Sequence, residues 1–187
     1  MKQIPTREED QKVHSKFQEK FEFIPSPYFK DWPSILEPMP SFTISLTESA
    51  YGIYPDESII CKYLTESFMQ LRGSDKIYYS LTWFHRGYKE VDINNDNIRI
   101  YPDGDYAIFL NKDMTLGVFG HPWENTICIF GEALIEITRK NLPKEFSKVL
   151  REIDPFKKKF HSSSSISLAM ESSEEEYKHK FRIKGIK

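Results

Sequence analysis

The sequence predicts one α+β domain, an antiparallel β-sheet of about five strands with flanking α-helices. Three observations predict it. Phe42, Ile44 and Leu46 alternate with Thr43, Ser45 and Thr47, the period of two of a half-buried strand. From residue 98 onward, short apolar runs follow one another across brief turn sequences, whereas parallel crossovers need a dozen or more residues. Segments with apolar residues at helical spacing stand before, between and after these runs.

Taken in order, Thr6 followed by Glu9 has the pattern of a capping box, and Val13, Phe17 and Phe21 then recur at helical spacing, so residues 7–20 read as an amphipathic helix. Pro25, Pro27, Pro33, Pro38 and Pro40 exclude regular structure from the next stretch. Phe23, Tyr28, Phe29, Trp32 and Leu36 punctuate it, and so many large apolar side chains point to an ordered strap packed on the domain. A second helix begins near Pro55 and Asp56, turns Ile59, Ile60, Tyr63, Leu64, Phe68 and Leu71 inward, and stops before Gly73. Residues 77–84 read as an aromatic strand ending at His85, Arg86 and Gly87, and residues 92–96 as a polar loop.

Residues 98–101, 105–110, 114–119 and 126–130 give the strongest strand signal. Their connections, Pro102-Asp103-Gly104, Asn111-Lys112-Asp113 and Gly120-His121-Pro122, favour an antiparallel meander. Gly131 breaks the alternation, and Ala133, Leu134 and Ile137 predict a short helix. Pro143 opens another that faces Phe146, Val149, Leu150 and Ile153 inward. The domain is therefore placed at residues 1–156, and the basic, serine- and glutamate-rich extension at 157–187 is expected to be partly mobile.

A chain of 187 residues suffices for one sizeable core and is short for two. Its apolar runs are too short to cross a bilayer, and the first ten residues lack the apolar stretch of a secretory signal. Cys61 and Cys128 lie in apolar segments without disulfide or zinc spacing, as buried thiols in a reducing compartment do, so a cytoplasmic location is expected. The net charge of −2 divides unevenly: residues 157–187 carry eight Lys/Arg against four Asp/Glu, leaving −6 for residues 1–156. An acidic body lacks the continuous basic surface that nucleic acid requires, and no nucleic-acid partner is predicted.

Polar and aromatic residues gather at two turns, Tyr101 to Tyr106 and Phe119 to Asn125. His121 and Glu124 have the residue types of an acid–base pair, with His85 as a second polar contact, because imidazole titrates near neutrality and a carboxylate favours its charged form. This is the enzyme reading, a small-substrate enzyme using His121 and Glu124, with metal assistance if His121 joins His85, Asp105 or Asp113. The competing reading makes His121 a hairpin tie that holds backbone groups, with Trp123 a core plug and Glu124 the close of a turn. Pro122 argues against the helical face of a zinc-protease motif, and no HExxH is present. Asp103-Gly104-Asp105 reads as a turn, since the other ligands of a calcium loop are missing. Neither a P-loop nor a Gly-x-Ser-x-Gly elbow occurs. No cofactor or metal is predicted.

Asp103-Gly104-Asp105-Tyr106, Phe109-Leu110 with Asp113, Gly117 to Gly120, His121-Pro122-Trp123-Glu124 and Ile127 to Gly131 together resemble the signature of an uncharacterised bacterial family, domain of unknown function 2716. The resemblance spans Trp83 to Asn141 well and the N-terminal segments loosely. It implies domain membership and carries no activity with it. The leading expectation is accordingly a small protein-binding domain that uses Trp83, Tyr88, Asp103, Asp105 and Trp123 against a protein partner. An immunity or antitoxin-like protein, whose acidic surface masks a basic toxin active site, is one such case.

Overall fold

Side chains alternate across a strand, so a sheet can be covered on both faces. In the computed structural model, which describes residues 2–47, 52, 56–71, 78–93 and 98–154, both faces are covered. The strands are β1 (Lys2–Gln3), β2 (Ser41–Ser45), β3 (Tyr78–Leu81), β4 (Tyr88–Val91), β5 (Ala107–Asn111), β6 (Gly117–His121), β7 (Thr126–Phe130) and β8 (Val149–Ile153). They form one antiparallel sheet in the order β1, β4, β3, β5, β6, β7, β2, β8. The predicted meander forms its centre as β5, β6 and β7.

The helices are α1 (Arg7–Phe21), α2 (Glu57–Met69) and α3 (Glu132–Lys140). α1 starts where the sequence places it, with the Thr6 hydroxyl accepting from the Glu9 N–H at 3.1 Å. The Asp56 carboxylate caps α2 in the same way, accepting from the Ser58 N–H at 2.7 Å. On one face of the sheet, Phe42, Ile44, Phe109, Val118, Ile127 and Ile129 pack with Ile60, Leu64 and Phe68 of α2 and Leu134 of α3. On the other, Ile108, Leu110, Phe119, Cys128 and Phe130 pack with Phe17 and Phe21 of α1 and with Phe23 and Ile35 of the strap. Consecutive residues such as Val118 and Phe119 thus serve opposite cores, giving a helix–sheet–helix arrangement.

Several expectations are corrected. The sheet has eight strands among the described residues, not about five. β1 and β4 were missed because two residues and the Tyr88–Val91 stretch carry too little apolar alternation to be read. Residues 98–101 form no strand; Ile98 and Ile100 are buried as irregular chain beneath α2. The helix expected after Pro143 is a single 3-10 turn, Lys144–Phe146, followed by β8. Phe146 is buried as expected, but Val149 and Leu150 are exposed, since they sit on an edge strand rather than the inner face of a helix. Ile59 is likewise exposed on α2. The predicted extension at 157–187 lies outside the described residues.

Gly131 links β7 to α3 at φ +92°, and a Cβ there would stand 2.3 Å from the Leu116 Cβ. Replacing Gly131 by Ala is expected to destabilise the domain by about 2–4 kcal/mol, the sum of backbone strain and overpacking. Urea unfolding monitored by circular dichroism should show a lower midpoint with unchanged native ellipticity.

Candidate functional site

The strap crosses the α1 face between Glu22 and Met39, held by the burial of Phe23 and Ile35 and by a set of polar contacts. Phe23 is buried and meets Trp83, Tyr106 and Phe119 edge-on, with ring centroids 5.0–5.7 Å apart. The strap is stitched to itself by the Ile24 N–H to the Ser34 carbonyl at 2.9 Å, and to the end of α1 by the Leu36 N–H to the Phe21 carbonyl at 2.7 Å. The Tyr106 hydroxyl, rising from the sheet, accepts from the Ser26 N–H at 2.9 Å and lies 3.1 Å from the Ser34 Oγ. Ser34 has φ +67°, a left-handed conformation that a serine adopts only when its surroundings hold it there.

His121 completes this network. Only 1% of its surface is exposed, among the rings of Trp32, Tyr106, Phe119 and Trp123. Its Nδ1 accepts the Glu124 N–H at 3.0 Å, closing the hairpin between β6 and β7. The proton of the neutral ring must then sit on Nε2, which donates to the Ser34 Oγ at 2.9 Å. A serine and a histidine at this distance have the outline of a nucleophile and its base. The proton is on the opposite nitrogen from the one such a pair needs, where Nε2 accepts from the hydroxyl and Nδ1 donates to a carboxylate.

Burial pushes the His121 pKa down to about 4, outweighing the Glu124 carboxylate, which raises it. Glu124 favours the charged ring as expected, but desolvation wins, and the carboxylate is itself engaged elsewhere. Its two oxygens accept from the Arg151 guanidinium at 2.5 and 2.9 Å, and Oε2 also accepts from the Thr126 hydroxyl at 2.8 Å. Arg151 binds Glu37 as well, with Nε 3.0 Å from Oε1, and Thr43 donates to the same oxygen at 2.6 Å. Glu37, Arg151 and Glu124 thus form a partly buried ionic cluster on the same face as His121. Glu37 and Arg151 were not singled out from the sequence. Neither lies at a turn or in a recognisable motif, and only the pairing of β8 with β2 brings them together.

The other nominated residues are dispersed. Asp105 is buried and accepts from the backbone N–H groups of Trp83, Phe84 and Tyr106 at 2.7–3.0 Å, so it braces the loop after β3. Trp83 is partly exposed with its ring edge on Phe23, and Trp123 is half-buried against Tyr106 and His121. His85, Tyr88 and Asp103 line a separate groove beside α2. His85 is therefore placed with that groove and His121 with the strap. Among the described residues, no three His, Cys, Asp or Glu side chains are grouped so as to hold a metal ion. No described helix is long and apolar enough to cross a membrane.

A family model described as "Protein of unknown function (DUF2716)" matches residues 5–135. The chain is also similar to the "Uncharacterized protein YxiI" of Bacillus subtilis (strain 168), with 28% identity over 119 residues covering 57% of this chain and 74% of that one. No solved structure matches it.

Two outcomes are expected at this site. The His121 pKa is lower in the folded than in the unfolded chain, where it is near 6.5, so the unfolded state takes up the proton first as pH falls. Stability from this residue is complete above about pH 6.5 and lost progressively down to about pH 4, by about 3 kcal/mol in all. Chemical denaturation of wild type and His121→Gln across that range should show the difference between them shrinking toward acid pH. Arg151→Leu leaves one buried and one partly buried carboxylate without their counter-charge and should cost about 2–3 kcal/mol. Part of that loss should return when Glu124→Gln is added, read from the same unfolding curves.

Proposed function

Because the chain belongs to the family described as protein of unknown function (DUF2716), a description that assigns no activity, we propose its function from the surface it presents: a protein-binding domain that docks its partner on the strap. The carrying observation is the exposure of that strap. Ile24 is 67% exposed, Tyr28 67%, Phe29 81%, Leu36 59% and Met39 54%, all within sixteen consecutive residues. The sequence placed Tyr28, Phe29 and Leu36 against the domain. Their exposure on a segment held by Ser26, Ser34, Tyr106 and His121 supports a recognition role, because a braced loop loses little conformational freedom on binding. Aromatic anchors of this kind dominate interface energetics when a partner pocket desolvates them.

The neutral, Nε2-protonated His121 supports this reading over acid–base chemistry, since its two nitrogens are already committed to Glu124 and Ser34. In its narrower form the proposal keeps the cytoplasmic setting and a basic partner surface, such as a toxin active site masked by an immunity or antitoxin-like protein. The charge of −6 over residues 1–156 supports that narrower form.

Phe29→Ser together with Tyr28→Ser should leave the melting temperature within error of wild type, because both side chains are already in solvent. Partners captured by the wild-type bait and reconstituted from purified components should bind the double variant at least about a hundredfold more weakly, a loss of about 2.7 kcal/mol. Equal binding by the two baits would refute docking on the strap.

A further inference from the structure

On the α2 face of the sheet, away from the strap, α2, β3 and residues 98–103 enclose an open groove of about 850 Å³. That is within the usual size of small-molecule sites, roughly 300–1,000 Å³. Of the charged side chains that line it, Asp56 is engaged as the cap of α2, its carboxylate accepting from the Ser58 N–H at 2.7 Å and from the Ser58 hydroxyl at 2.6 Å. Among the described residues, the side chains of Glu57, Asp103 and His85 make no hydrogen bond or ion pair. Arg99 and Arg86 reach only backbone carbonyls, those of Asp103 at 3.2 Å and Pro5 at 3.5 Å.

The carboxylates share one region of the groove. The Tyr101 hydroxyl, whose pKa is raised first by burial, is raised further by the negative charges of Glu57 and Asp103, so both lie near it. His85 and Arg86 come from the loop between β3 and β4, a separate element. The buried β3 residue Ser80 and the adjacent Thr82 add hydroxyls to the wall. Unpaired charges of both signs around one cavity favour a ligand that itself carries both signs, because an anion or a cation alone would leave half of them facing it with the wrong charge.

We infer that this groove binds a small zwitterionic ligand of short-peptide size, its ammonium group held by Glu57 and Asp103 and its carboxylate by Arg86. The site is independent of the strap, and neither reading depends on the other. Charge-assisted hydrogen bonds at each end supply the specificity.

The test uses trialanine with free termini and the same peptide acetylated and amidated, titrated into the isotopically labelled full chain. Free trialanine should give saturable amide shifts at Cys61, Ser80 and Thr82, and the blocked peptide should give none that saturate. Arg86→Gln and Asp103→Asn, both at exposed positions, should each weaken binding about tenfold without changing the melting temperature. Absence of saturable shifts with the free peptide, equal binding of the blocked peptide, or unchanged affinity in both variants would each overturn the inference.

Discussion

The hydrogen bond from His121 Nε2 to the Ser34 hydroxyl is the joint on which the strap depends. Phe23 and Ile35 anchor the segment by burial, but Ile24, Tyr28, Phe29, Leu36 and Met39 point into solvent, so the course of the chain between the anchors needs another hold. That hold is polar and desolvated: Ser26, Ser34, Tyr106 and His121 satisfy one another in a space walled by aromatic rings, where any one of them left unpaired would cost about 1–3 kcal/mol. The same histidine fixes the hairpin beneath through the Glu124 N–H, so the turn of the sheet and the course of the strap are set together. Movement of either requires breaking the shared ring's bonds. The result is an apolar surface presented by a rigid loop, an arrangement whose cohesion and exposure come from different residues.

Much of the fold was legible because its signals are local. The capping residues of α1 and α2, the alternation in β2 and the turns between β5, β6 and β7 are all written within a few neighbouring residues. β4 and β8 were not legible, since an edge or near-edge strand needs only backbone partners and leaves no apolar pattern; Val149 and Leu150, both in solvent, even imitated a helical face. At the site, His121, Glu124, Trp123 and Asp105 were found because turns concentrate polar residues. Their distant partners were not, because Ser34 reaches His121, Arg151 reaches Glu124, and the Trp83 and Phe84 N–H groups reach Asp105 across long stretches of chain. The exposure of Tyr28 and Phe29 was missed for a related reason: hydrophobicity alone says that a side chain prefers burial, not that the backbone is free to deliver it.

The ionic cluster has a consequence for how the sheet closes. β2, which carries Thr43 beside Glu37, has as its two sheet neighbours β7 and β8, more than eighty residues further along the chain. Glu37 waits for Arg151, and so does Glu124. A sheet closed without β8 would leave both carboxylates without their counter-charge. Closure of the sheet without β8 is therefore penalised, and the Arg151 guanidinium couples the pairing of β8 to that of β2 and β7. Residue 151 also lies beyond the stretch matched by the family, which ends at residue 135, so Glu37 and Glu124 inside that stretch take their counter-charge from outside it.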